Sequence, residues 1–182
     1  DALKLGPNER LDSFTLGGIF SDCAFTPNKI TPVDGINKRA TDLMSHGTGS
    51  IGIAWLGTPD NWRQSPIRIL RIETTASEVQ RMNAHTGELF GQLTALRLSC
   101  NVAPRVPSFT DCKSVSTSLQ EAAGMHRRAL GLRVKGIFLE SMAQSEDLVK
   151  RNIDHTYSHP EDRCPTEQWT YHDWGIFIAD AV

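Results

Sequence analysis

No run of this 182-residue chain approaches the roughly 18 consecutive apolar residues that a membrane-spanning helix needs, and no secretory leader opens it. A membrane partner is therefore not expected. An excess of one charge is missing too: 19 Lys and Arg against 21 Asp and Glu leave a formal net charge of -2. A protein that grips nucleic acid unaided is usually strongly basic, so overall charge makes no case for one here. Cysteine is scarce and scattered. Cys23, Cys100, Cys112 and Cys164 form no Cys-x-x-Cys pair, which argues against both a thiolate zinc site and a disulfide framework. Reduced thiols and an intracellular setting, cytoplasm or nucleus, are the expectation. There is neither an internal repeat nor a low-complexity segment.

What is present is ordinary for a globular domain, with 39% hydrophobic and 22% charged residues. The length suits a single domain over 1–182, long enough to bury a real core, with a polar lead-in over 1–13. The first residues, Asp-Ala-Leu-Lys, include no initiator Met and read as a piece of a longer chain. Basic residues pair up locally, at Arg127 with Arg128, Arg133 with Lys135, and Lys150 with Arg151. Such short clusters are mostly solvated faces.

The pattern of apolar residues predicts three strands first, over 17–25, 48–56 and 66–73, as an antiparallel meander. Pro, Asn, Gly, Lys and Ser over 26–48 mark a long loop or insertion between the first two. The period then changes. Leu89, Leu93, Leu96 and Cys100 repeat at helical spacing after Glu88. A short strand over 106–111 runs into a helix from Ser114 to about Ala123, residues 128–144 read as helical, 152–157 as a fifth strand, and 170–182 as a last helix.

Four carboxylates fall where this order could bring them to one edge of a sheet: Asp22, Glu88, Asp111 and Asp180. Asp22 and Asp111 stand out because each lies in apolar, β-prone sequence, where an acid needs a reason. Hydrolysis of a phosphodiester needs an activated water and a stabilised leaving oxygen, and a pair of Mg²⁺ ions held by hard oxygen ligands supplies both. Cys23 and Cys112 each follow one of these acids, and strand alternation turns their thiols toward the packing beneath the helices. Trp55, Trp62, Trp169 and Trp174 suit core or loop-anchoring positions, or a stacking contact to nucleic acid.

Five motifs in order resemble the ribonuclease H family: Ser-Asp-Cys-Ala-Phe, then Thr-Gly-Glu-Leu-Phe-Gly-Gln-Leu, Thr-Asp-Cys-Lys-Ser-Val, Ser-His-Pro-Glu and Ile-Ala-Asp-Ala-Val. The flavour is similar to the ribonuclease H domains of retrotransposon-type reverse transcriptases. That resemblance implies an α/β ribonuclease H-like fold, a five-stranded mixed sheet in the order 3-2-1-4-5 with flanking helices. It implies a Mg²⁺-dependent endonuclease that cuts the RNA strand of RNA–DNA hybrids, with Mn²⁺ able to substitute. It further implies a covalently linked reverse transcriptase domain as partner. Asp22, Glu88, Asp111 and Asp180 would hold the two metal ions, and His159 would assist product release or proton transfer. His155 competes for that role, and Asp173 replaces Asp180 if the register of the last helix shifts. Asn83, Thr86 and Gln92 are candidates for contacts to ribose hydroxyls. Two other readings stay open: an integrase- or transposase-like strand-transfer nuclease using Asp22, Asp111 and Glu146, and a non-catalytic scaffold of the same fold.

Overall fold

The structure, a computed structural model, describes residues 16–27, 47–75, 84–99, 106–122 and 152–182. Five strands form one sheet: β1 (Leu16–Pro27), β2 (Gly47–Gly57), β3 (Arg68–Thr75), β4 (Ser108–Thr110) and β5 (Ile153–His155). Three helices flank it: α1 (Ala84–Ser99), α2 (Lys113–Ala122) and α3 (Tyr171–Asp180). The strand order is β3-β2-β1-β4-β5, as expected from the sequence. The first three strands pair antiparallel, and β4 and β5 join parallel to β1.

Alternation along β1 divides its side chains between two layers. Ile19 faces α1 and packs with Ile51, Ile53, Trp55 and Ala95. Phe20 faces the opposite side, where Ala54, Leu56, Phe109 and Ala179 complete a second cluster under α3. A third cluster, Leu89, Leu93, Leu96, Val115, Leu119 and Ile153, joins α1 to α2 and β5. Helix α1 thus buries two faces at once, leucines toward α2 and the small residues Gly91 and Ala95 toward the sheet. Its apolar pattern is correspondingly broad rather than a single stripe.

The ends of several elements differ from the sequence-based boundaries. Thr26, Pro27 and Gly47, expected in the loop, extend the β1–β2 ladder through the pairs Thr26↔Thr48 and Pro27↔Gly47. Backbone pairing continues there despite a loop-like composition, since each added rung satisfies further peptide groups. Helix α1 begins at Ala84, four residues ahead of Glu88. Strand β4 is limited to three residues, and the chain between β5 and α3 makes 3₁₀ turns at Pro160–Asp162 and Thr166–Gln168. The helical reading of 128–144, the basic pairs between 127 and 151, and Glu146 lie outside the described residues, as does Asn83.

Two glycines set how closely α3 lies on the sheet. A Cβ on Gly52 would strike the Ala179 carbonyl, and one on Gly175 would strike the Phe20 ring. The approach brings the C-terminal end of α3 down on the strand pair that carries Asp22, because Gly52 is the register partner of Asp22.

Candidate active site

The site is built from strand register. Ser21 pairs with Thr110 across the parallel β1–β4 contact, so the next residues, Asp22 and Asp111, emerge side by side. Both lie on the α3 side, in alternation with Phe20 and Phe109, whose rings stack at 4.9 Å between centroids. From the other layer, the first turns of α1 bring Glu88. Asp22, Glu88 and Asp111 each offer a carboxylate oxygen, and these atoms lie within 4.8 Å of one another.

The electrostatics follow from this crowding. Burial first, then the charge of Asp111 and the reach of the Asp180 carboxylate, push Asp22 up to about 7. Burial, with Asp22 and Asp111 beside it, pushes Glu88 up to about 10. Asp111 is raised as well, chiefly by burial, with its own backbone amide and then the charges of His159 and His155 opposing the shift. Little compensates. The Cys23 amide donates to Asp22 Oδ1 at 2.7 Å and to Glu88 Oε1 at 3.0 Å. Glu88 Oε2 is buried with no hydrogen-bond partner. Three crowded acids and an orphaned carboxylate oxygen are costly without a cation, and an all-oxygen donor set is the kind that suits a hard divalent ion.

A second, exposed group adjoins the first. His159, Glu161 and Asp180 offer ligand atoms that also lie within 4.8 Å of one another. His159 Nδ1 and Glu161 Oε1 are 3.3 Å apart, and this contact, together with the nearby Asp180 charge, raises the imidazole pKa. His159 has φ 46° and ψ 61°, the one non-glycine residue with positive φ among the described residues. Asp180, at the end of α3, links the groups through its approach to Asp22.

The other candidates have different surroundings. Asp173 closes a capping box with Thr170 at the start of α3 and pairs with Arg163 at 2.5 Å. Burial works against its charge, but the Thr170 hydroxyl and amide and the Arg163 guanidinium outweigh it and hold its pKa low. His155 ends β5 with its ring against Tyr157 and belongs to neither ligand group. Gln92 is fully buried: it accepts from the Ser21 hydroxyl at 2.5 Å and donates to Ser108. It ties α1 to β1 and β4, which overturns its reading as a substrate contact. Thr86 is half-buried in the first turn of α1. Cys23 and Cys112 are free and half-buried, and the Cys23 thiol lies against Gly87 on α1. Trp55 and Trp169 are buried, while Trp62 and Trp174 pack on one another at 5.9 Å. Glu161 went unassigned in the sequence, although the Ser-His-Pro-Glu motif holds it two residues from His159.

No family model matches the chain, and no curated protein matches it in sequence. Solved structures do match. The prototype foamy virus protease–reverse transcriptase aligns over 98% of this chain with a TM-score of 0.62 at 16% identity. The solution structure of the prototype foamy virus ribonuclease H domain aligns over 92% of both chains with a TM-score of 0.50 at 16% identity. This chain has the ribonuclease H fold. A foamy viral protease–reverse transcriptase solved with an RNA/DNA hybrid also aligns over 98%, with a TM-score of 0.55 at 13% identity. The chain spans about a fifth of those protease–reverse transcriptase chains, 21% and 22%. Within the ribonuclease H fold, the carboxylate group occupies the junction of β1, β4, α1 and the end of α3. Among the described residues no helix is long and apolar enough to cross a membrane.

Proposed function

We propose that the chain is an endoribonuclease that hydrolyses the RNA strand of RNA–DNA hybrids, with two Mg²⁺ ions held by Asp22, Glu88, Asp111 and Asp180. Mn²⁺ would substitute. On this reading residues 1–182 form a single domain covalently linked to a reverse transcriptase in a retroelement polyprotein, acting in the cytoplasm or nucleus. The observation that carries it is the crowding of Asp22, Glu88 and Asp111 with the buried, unpartnered Glu88 Oε2. An acid cluster left without cations spends stability on repulsion and gains nothing from it.

A bound pair of divalent ions supplies positive charge for the attacking and leaving oxygens of an in-line displacement. The protein's own groups do the rest. Asp22 neighbours Glu88 and Asp111 on one side and Asp180 on the other, so it is the carboxylate common to the whole set. The α1 and sheet core beneath Glu88 fixes its Oε1 against the Cys23 amide, so the ligand is held before anything binds. His159, exposed at the rim and favoured in its charged form by Glu161, is placed to hold a proton and hand it on as product leaves.

The test is cleavage of an end-labelled RNA–DNA hybrid with Mg²⁺ and with a chelator, beside single-stranded RNA, duplex RNA and duplex DNA. Cleavage restricted to the RNA of the hybrid, and lost with the chelator, is the expected result. Joining of DNA ends would favour the strand-transfer reading, whose Glu146 lies outside the described residues. No cleavage of any substrate would favour the scaffold.

A further inference from the structure

His159 is exposed and sits in a left-handed backbone conformation, which L-residues adopt at a cost and keep only when their surroundings hold them there. Those surroundings are identifiable. The Arg163 guanidinium donates from Nε to the Ser158 carbonyl at 3.1 Å and from Nη2 to the Tyr157 carbonyl at 3.3 Å, the two carbonyls that precede His159. The same Nη2 donates to Asp173 Oδ1 at 2.5 Å. Asp173 has its other oxygen engaged: Oδ2 accepts from the Thr170 amide at 2.9 Å and from its hydroxyl at 2.7 Å, closing the first turn of α3. The Arg163 guanidinium also lies 5.7 Å from the Tyr157 ring centroid. One planar cation thus joins the peptide run before His159 to the helix that ends at Asp180.

We infer that Arg163 and Asp173 are positioning residues, a clamp that sets His159 against Glu161 and Asp180 without touching substrate. This rests on the reading of His159 as a working group in hybrid cleavage. Two features set the pair apart from a surface ion pair. The Asp173 side chain is only 11% exposed, so its partner is screened less than at an open surface. Arg163 also spends a fork of donors on main-chain carbonyls, which a point-charge lysine cannot reproduce while keeping Asp173. By contrast, Arg71 with Glu73, at 2.9 Å, is exposed on both sides, and Arg71→Ala serves as the control.

The experiment compares wild type, Arg163→Ala, Arg163→Lys, His159→Ala, the double variant Arg163→Ala/His159→Ala and the control Arg71→Ala, which should leave both readouts at wild-type values, all in the full chain. Two readouts are used. The first is steady-state cleavage of an RNA–DNA hybrid. The second is amide hydrogen exchange over 157–163, which needs no activity. Arg163→Ala is expected to lower kcat roughly 10- to 100-fold with little change in KM, as misplacement of a working group does. Exchange over 157–163 should quicken while β1 and β2 stay protected, and Arg163→Lys should fall between wild type and Arg163→Ala. The double variant should be no slower than His159→Ala alone, because both changes remove the same contribution. Losses that multiply in the double variant, or unchanged exchange in Arg163→Ala, would overturn the inference. A wild-type chain that fails to cleave hybrids would overturn the proposed function, and the clamp's role with it. Quickened exchange beside additive losses in kcat would overturn the clamp alone.

Discussion

Three carboxylates crowd one end of the sheet, two of them sharing the Cys23 amide, and the protonation of each is tied to folding. Asp22, Glu88 and Asp111 all bind protons more tightly in the folded chain than in the unfolded one, where the ordinary values are 3.8 and 4.5. The folded state therefore holds extra protons above about pH 4, and stability falls as pH rises, through about 7 for Asp22 and on toward about 10 for Glu88. His159, raised by Glu161, contributes with the same sign, since its stabilisation is lost as pH climbs past its folded value. Thermal unfolding in a chelator should show a midpoint that drops between pH 5 and 8, and Mg²⁺ should flatten that drop. A midpoint that rises with pH across this window would contradict the assignment. Asp22→Asn removes one charge of the cluster, so the metal-free protein should gain roughly 1 kcal/mol and melt a few degrees higher. The same variant should lose most of the stabilisation Mg²⁺ gives the wild type. Denaturant melts with and without Mg²⁺ check both points.

At this scale an acid that breaks an apolar pattern was legible as a candidate, and the β1–β4 register brings two such acids together. Asp22 in Ile-Phe-Ser-Asp-Cys-Ala-Phe and Asp111 in Ser-Phe-Thr-Asp-Cys both stand out that way. Gln92 was misread because periodicity reports which face a residue occupies and not which partner satisfies it; two serines on different strands do so. The geometry of His159 was also out of reach, since nothing local forces a positive φ at His before Pro.

Elements deliver these residues to one place, and close packing of α3 on β2 is the tightest constraint. Gly52→Ala should push the Ala179 carbonyl outward and carry Asp180 away from Asp22. Overpacking of this kind costs about 1–3 kcal/mol. Cleavage should fall further than stability accounts for, on the order of 100-fold, since an ångström of misplacement is enough to do so. Measuring kcat beside the unfolding free energy separates the two effects. Full activity in a destabilised Gly52→Ala would show that α3 does not set the site. The meander was legible as apolar, β-prone runs bounded by turn residues, even though β2 is buried throughout 51–57 and shows no alternation. Strand ends were less so: Thr26 and Thr48 pair despite loop-like neighbours, because the ladder continues wherever both strands stay in register. Strand β4, at three residues, is too short to show a period of its own, and its place beside β1 comes from the crossover through α1.

At the scale of the whole molecule, a net charge of -2 limits unaided grip on a polyanion. Phosphate contacts dominate affinity for nucleic acid, and each one lost weakens binding and flattens its salt dependence. A domain of this charge should bind a hybrid weakly at physiological salt. Joined to a polymerase domain already holding the hybrid, it would act at high effective concentration. Cleavage by the 182 residues alone should therefore fall steeply between low and physiological salt, and a version joined to a polymerase domain should resist that fall. Equal salt dependence in the two would show that the domain grips its substrate unaided.

On the proposed reading, cleavage of RNA depends on ions held by the acids that the β1–β4 register gathers. That dependence is tested most directly by Mg²⁺-dependent cleavage of a labelled RNA–DNA hybrid by wild type, Asp22→Asn and Asp111→Asn, each shown to be folded. An amide is a poor ligand for a hard cation, so both variants should lose cleavage while keeping the wild-type fold. Cleavage retained in both, at an unchanged Mg²⁺ requirement, would mean that the ions and the chemistry lie elsewhere.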